Sequence, residues 1–199
     1  MIILPVSGVI HLVRKGDTIG TLARTYKADL EGIVEFNNLS GEGDIFIGDV
    51  LVIPGGKMPA RIPQVASIPI GESYFIFPAQ GKITQGLHGI FRNAIDIADK
   101  CGKPVVAAAG GAVQRAGTIR IGGRMITILH PNGVVTYYGH LSTIAVVPGQ
   151  TVKTGDIIGY MGNSGYTLGA TGCHLHFEVR GAPNFLSQYR VGSYLSWKR

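Results

Sequence analysis

The chain has 199 residues, 45% of them hydrophobic and only 15% charged, which fits a globular protein and excludes a disordered one. A net charge of +6 favours an anionic partner, but the basic residues are dispersed and form no aromatic-basic stripe, which argues against nucleic acid. No apolar run approaches the roughly 20 residues that span a bilayer, so no transmembrane segment is expected, and the apolar start at Met1–Val6 lacks the basic stretch of a signal peptide.

Taken in order, His11-Leu12-Val13-Arg14 predicts a short strand and Lys15-Gly16-Asp17 a turn. Asp17 or Thr18 then caps a helix carrying Ile19, Leu22, Ala23 and Tyr26 at helical spacing. Asp29 caps a second helix with Leu30, Ile33 and Val34, and Asp49-Val50-Leu51-Val52-Ile53-Pro54 closes as a strand. The order is strand, helix, helix, strand. This stretch resembles the LysM family through Val13-Arg14-Lys15-Gly16-Asp17-Thr18-Ile19, Leu22-Ala23, Tyr26, Asn37-Asn38-Leu39 and Ile47-Gly48-Asp49-Val50-Leu51-Val52-Ile53-Pro54. The resemblance implies a small α+β (βααβ) domain over residues 10–55 that binds N-acetylglucosamine polymers such as peptidoglycan. Its sugar groove would lie at Gly16, Asp17, Thr18, Asn38 and Leu39. Ile2-Ile3-Leu4-Pro5 resembles the exit strand of such a unit, so a further LysM and an export signal are expected upstream.

Residues 56–73 contain Pro59, Pro63 and Pro69 with no clear periodicity and are expected to be a semi-rigid linker. From residue 74 to 185 the pattern changes. Tyr74–Pro78 reads as a leading strand, and short strands separated by glycine follow at 93–98, 105–109, 111–115, 125–130, 134–139 and 157–161. Helical spacing is nearly absent, which predicts a mainly antiparallel β-sheet domain.

The most informative stretch is His174-Leu175-His176-Phe177-Glu178-Val179-Arg180. On a strand, His174, His176 and Glu178 face one way and Leu175, Phe177 and Val179 the other. Imidazole is a favoured zinc ligand and the commonest base near neutral pH. Asp96, between Ile95 and Ile97, can project into a cleft; His140 shares a face with Thr136 and Tyr138 by alternation; His130, before the turn Pro131-Asn132-Gly133, reads as structural.

These residues resemble the LytM/lysostaphin-like zinc metallopeptidases. The matches are Ala94-Ile95-Asp96-Ile97-Ala98, Gly102-Lys103-Pro104-Val105, Tyr138-Gly139-His140-Leu141-Ser142, the run from Val147 to Gly159, and His174-Leu175-His176-Phe177-Glu178-Val179. The resemblance implies a peptidoglycan endopeptidase with one zinc ion, held by Asp96 and His176, and with His140 and His174 as catalytic histidines. The family's other ligand is a histidine four residues before the aspartate, where Arg92 stands here. Arginine cannot ligate zinc, so His88 is expected to supply the third donor across a longer loop. If Asp96 and His176 share one metal, Cys101 and Cys173 are either near enough for a disulfide, which would fit an extracytoplasmic location, in the cell envelope or secreted, or two inert buried thiols. The alternatives are a non-catalytic regulator, which the displaced His88 favours, and a wall-binding protein in which zinc is structural. The tail, residues 186–199, is left open between packing on the domain and hanging free.

Overall fold

The computed structural model describes residues 7–41, 43–59, 74–89, 92–167 and 172–197. Residues 2–5, which resemble a LysM exit, and most of the linker, residues 60–73, lie outside the described residues. The chain divides into two compact units, Met1–Ala66 and Ser67–Arg199.

The first unit runs β1 (Gly8–Leu12), α1 (Ile19–Tyr26), α2 (Leu30–Phe36) and β2 (Val50–Pro54), the expected order. β1 and β2 pair antiparallel from Gly8↔Pro54 to Leu12↔Val50. The first strand therefore lies earlier than expected, with Val13 and Arg14 beyond its end. Thr18 caps α1: its hydroxyl accepts from Thr21 N–H, while the Thr21 hydroxyl accepts from Thr18 N–H, so two otherwise orphaned donors are satisfied. Asp17 is engaged elsewhere, its Oδ2 accepting from Arg14 N–H at 2.7 Å and from His11 Nε2 at 2.8 Å. Asp29 caps α2 through Gly32 N–H. Ile19, Leu22, Ala23, Tyr26, Ile33, Leu51 and Ile53 close the core.

Among its described residues the second unit has ten strands: β3 (Gly81–His88), β4 (Ala94–Ala98), β5 (Pro104–Val106), β6 (Gly111–Ile119), β7 (Gly123–Leu129), β8 (Val135–Ile144), β9 (Thr151–Val152), β10 (Ile157–Met161), β11 (His174–Arg180) and β12 (Tyr194–Leu195). Their order across the sheet is β12-β3-β4-β11-β8-β7-β6-β9, with β10 pairing β5 and β8. Every pairing is antiparallel. One sheet face buries Ile83, Ile97, Ile126, Ile128, Tyr138, Leu175, Phe177 and Val179. The alternation expected of β11 holds: Leu175, Phe177 and Val179 are fully buried, while His174, His176, Glu178 and Arg180 are half-buried on the other face.

Tyr74–Pro78 forms no strand. Only two backbone hydrogen bonds tie it to residues 106–108, from Ile76 N–H to Ala108 O and from Val106 N–H to Pro78 O, and Pro78 has no N–H to offer a ladder. Phe75 nevertheless drops into the core.

The tail packs. A 3₁₀ turn at Phe185–Gln188 buries Leu186, β12 adds to β3 through Tyr194↔Lys82 and Leu195↔Gly81, and Trp197 Nε1–H donates to Phe77 O at 2.8 Å. Leu195 is 1% exposed. Leu195→Ala is expected to cost about 2–5 kcal/mol in a urea melt, the range for emptying a buried leucine site. A loss below about 0.5 kcal/mol, the level of an ordinary surface change, would show that the tail adds nothing to this core.

Candidate metal centre

The site is built on adjacent rungs of three strands. β11 and β4 set His176 directly opposite Asp96, and β11 and β8 set it opposite Gly139. Directly opposed residues in an antiparallel pair share a face, so His176 and Asp96 meet without any special turn.

His88 needs more. β3 pairs with β4 through Ile83↔Ile97, then Gln85↔Asp96, then His88↔Ala94, with an irregularity at each step. Each is one extra residue on β3. Together they advance the strand by two residues, so His88 stands opposite Ala94 where an unbroken ladder would have set it opposite residue 92. That is two residues closer to Asp96 along β4, on the same face. Arg92, four residues before Asp96, is exposed with φ 52° in the turn.

The result is a triangle of donor atoms. His176 Nδ1 lies 3.0 Å from Asp96 Oδ1, His88 Nε2 lies 3.3 Å from the same oxygen, and the two nitrogens are 3.2 Å apart. A tetrahedral zinc with bonds of about 2.0–2.1 Å needs donors about 3.3 Å apart, so the triangle has the dimensions of one face of such a site. The outer contacts select the tautomers that would suit a metal: with His88 Nδ1–H donating to Gly86 O at 2.8 Å and His176 Nε2–H to Glu178 Oε1 at 3.0 Å, loss of the proton shared with Asp96 leaves the lone pair on His88 Nε2 and on His176 Nδ1.

The ionisable groups of the cluster shift one another. Burial pushes the Asp96 carboxyl up, but hydrogen bonds from His176 and His88 outweigh it and hold the group well below the usual carboxylate range. For His176, burial disfavours the charge, yet Asp96 and Glu178 raise its pKa to about 9. His88 is raised chiefly by its hydrogen bond to Asp96. Glu178, pushed up by burial, is drawn down to about 2 by His176 and Arg180.

His140 and His174 stand beside the triangle, their ring centroids 4.6 Å apart, with His140 at 5.8 Å from His176. His174 Nδ1–H donates to Gly172 O at 2.9 Å and its Nε2 is 3.8 Å from Asp96 Oδ2. His140 Nδ1–H donates to Ser164 O at 2.8 Å, and burial pushes its pKa down. Both rings thus keep Nε2 as the acceptor.

The expected alternation fails at His140. Thr136 and Tyr138 face the core, where the Tyr138 hydroxyl accepts from Ala108 N–H at 2.9 Å and its ring packs on Phe177. His140 has φ 60°, the left-handed region, which turns its side chain to the opposite face. That conformation costs a non-glycine residue about 1–2 kcal/mol. It falls where β8 leaves β11 at Gly139 and takes up β10 at Leu141, and His140 N–H is held by Gly122 O at 2.8 Å. Two glycines make the fit possible: a Cβ on Gly123 would collide with Ser164, and one on Gly165 with the Gly123 and Ile121 backbone. Ser164 anchors the junction, its Oγ accepting from Arg124 N–H and donating to Leu141 O. Sequence reading gave Ser164 no part.

Cys101 and Cys173 are joined in a disulfide with Cα atoms 5.4 Å apart, tying the turn after β4 to the residue before His174. Closing a loop with a sequence separation of 72 contributes about 4 kcal/mol on the chain-entropy account. His130 is buried, bonded to Gly110 O and the Thr136 hydroxyl. In the first unit, Gly16 and Asn38 take positive φ in their turns, Asp17 and Thr18 are engaged as described, and Leu39 packs on the core.

A βααβ unit and an antiparallel sheet bearing a carboxylate with four imidazoles define a two-part protein with a candidate metal-hydrolase centre. Residues 11–54 match the LysM domain, and residues 90–187 match peptidase family M23. The second unit belongs to peptidase family M23, the LytM/lysostaphin-like family, and the first is a LysM domain. The chain is 27% identical to the uncharacterized lipoprotein YgeR of Escherichia coli over 87% of its own length and 77% of that protein. It is 41% identical to the DD-carboxypeptidase/endopeptidase Mpg of Neisseria meningitidis over 43% of its length and 19% of that protein. A solved structure assigned to peptidase M23, from Pseudomonas aeruginosa, superposes with a TM-score of 0.50 at 27% identity, covering 59% of this chain and 52% of that one.

Proposed function

We propose that this chain is a zinc-dependent endopeptidase that cuts the peptides of bacterial peptidoglycan while its LysM domain holds the glycan. The observation that carries this reading is the triangle of His88 Nε2, Asp96 Oδ1 and His176 Nδ1 with the imidazoles of His140 and His174 beside it. Those three residues are the ligands, and three protein ligands leave a fourth position for water or substrate. When bound, zinc supplies Lewis-acid polarisation of a peptide carbonyl and a lowered water pKa. His140 and His174 are the catalytic histidines. With each Nδ1–H given to a backbone carbonyl, Nε2 of each is the atom that takes up a proton or, once protonated, donates to a developing oxyanion. The LysM groove at Gly16, Asp17, Thr18, Asn38 and Leu39 raises the local concentration of substrate without touching the chemistry.

The disulfide and the lipoprotein relative support an extracytoplasmic setting, in the cell envelope or secreted. No helix among the described residues is long and apolar enough to cross a membrane. The alternative reading as a non-catalytic regulator draws on the displaced His88; the approach of that imidazole to Asp96 and His176 across the two irregularities of β3 supports the enzyme reading instead.

Incubating purified peptidoglycan with the protein, with and without a chelator, tests the reading by mass spectrometry. New peptide termini that vanish with the chelator are expected. A wall left intact by protein loaded with zinc would overturn the enzyme assignment.

A further inference from the structure

Glu178, Arg180 and Tyr137 do not touch the donor triangle's centre, yet they are arranged around His176. Residues 174, 176, 178 and 180 share one face of β11, and Glu178 stands opposite Tyr137 on β8. The two Glu178 oxygens are engaged separately: Oε1 accepts from His176 Nε2–H at 3.0 Å, and Oε2 from Arg180 Nε–H at 2.7 Å. A carboxylate held at both oxygens cannot rotate away from the imidazole. The Arg180 guanidinium lies over the Tyr137 ring, 4.6 Å from its centroid, and Tyr137 meets His176 edge to face at 6.0 Å. The contacts thus run from His176 through Glu178 and Arg180 to Tyr137 and back to His176.

Tyr137 is itself wedged. A Cβ on Gly139 would lie 2.9 Å from its ring, and one on Gly122 would collide with its hydroxyl. Gly122 is the residue whose carbonyl holds His140 N–H. An incidental surface ion pair contributes about 0–1 kcal/mol because water screens it. The side chains of Glu178 and Arg180 are only 16% and 10% exposed, so this pair is not of that kind.

We infer that Glu178, clamped by Arg180 against Tyr137, is a positioning residue that fixes the tautomer and the aim of His176. A neutral imidazole has one N–H. Giving it at Nε2 to a carboxylate leaves the Nδ1 lone pair directed at Asp96 and His88, and makes that nitrogen a better donor to a metal. This rests on the reading of His88, Asp96 and His176 as metal ligands.

The test compares wild type, Glu178→Ala and Glu178→Gln by zinc competition with a chromophoric chelator, and by ¹⁵N imidazole spectra of the zinc-loaded chains. The alanine variant is expected to bind zinc about 10–100-fold more weakly and to lose the His176 Nε2–H resonance to solvent exchange. The glutamine variant keeps that resonance, since its amide oxygen still accepts, and weakens zinc by about tenfold, because a neutral acceptor polarises the ring less and cannot pair with Arg180. An alanine variant that binds zinc within about threefold of wild type overturns the inference alone. If that variant does not fold, the glutamine variant decides by the same threshold. A wild-type chain that binds no zinc overturns the ligand assignment itself, and this inference with it.

Discussion

Replacing Asp96 with alanine is expected to abolish zinc binding at neutral pH and to lower peptidoglycan hydrolysis by about three orders of magnitude or more. Lewis-acid polarisation supplies several kcal/mol of transition-state stabilisation, and each 1.36 kcal/mol is tenfold in rate. The same substitution has a signature in the metal-free chain that needs no activity assay. The pKa of His176 is raised from 6.5 to about 9, with hydrogen bonds to Asp96 and Glu178 outweighing its burial. A raised histidine pKa means that the folded state holds its proton where the unfolded state has lost it. The stabilisation is therefore complete below about pH 6.5 and is lost as pH rises towards about 9, on the order of 3 kcal/mol over that window. Zinc reverses the slope, because the metal must displace the proton on Nδ1 and so binds better as pH rises. Melting temperatures from pH 6 to 10 should fall for the metal-free wild type, while the margin added by zinc grows. In Asp96→Ala both slopes flatten. Wild-type protein whose zinc stabilisation is independent of pH would mean that the metal does not compete with His176 for a proton.

How much of this site could be read from residues alone depends on whether alternation held. It held on β11, so the two-sided character of His174 to Arg180 was plain, and Asp96 on a neighbouring alternating strand was a natural partner. Where the ladder is irregular, period-2 reasoning loses its ground. His140 was assigned to the face of Thr136 and Tyr138, and its left-handed backbone puts it on the other one. The approach of His88 depends on two bulges in Gly81–His88, a strand whose Gly86 and mixed polarity gave no clear strand pattern. β9 and β12, each two residues long, are too short to show any period. Glu178 and Arg180 are a different case. The alternation that singled out His174 and His176 runs on through both, and a carboxylate two residues past a candidate ligand, followed two residues later by a guanidinium, was a usable signal for the support behind that ligand.

Substituting His140 should separate chemistry from metal binding. Asparagine is the informative replacement: it tolerates the left-handed backbone that this position adopts at φ 60°, whereas a β-branched residue would destabilise the β8 junction. His140→Asn is expected to retain one zinc per chain and to lose about 10²–10⁴-fold in kcat, the range for removing a general acid–base group. Its structural partners predict that the loss is chemical. Among the described residues the hydrogen bond of the wild-type ring is from Nδ1–H to Ser164 O, on the side of the ring away from Nε2. His174→Ala should behave similarly, and the double variant tells whether the two imidazoles share a step. Rings 4.6 Å apart beside one carboxylate are placed to act on the same reacting group, so their losses should not multiply. The double variant is expected to fall no more than about tenfold below the slower single one, because a step already deprived of one partner gains little from the other. Losses that multiplied in full would instead assign the two histidines to separate, independent steps.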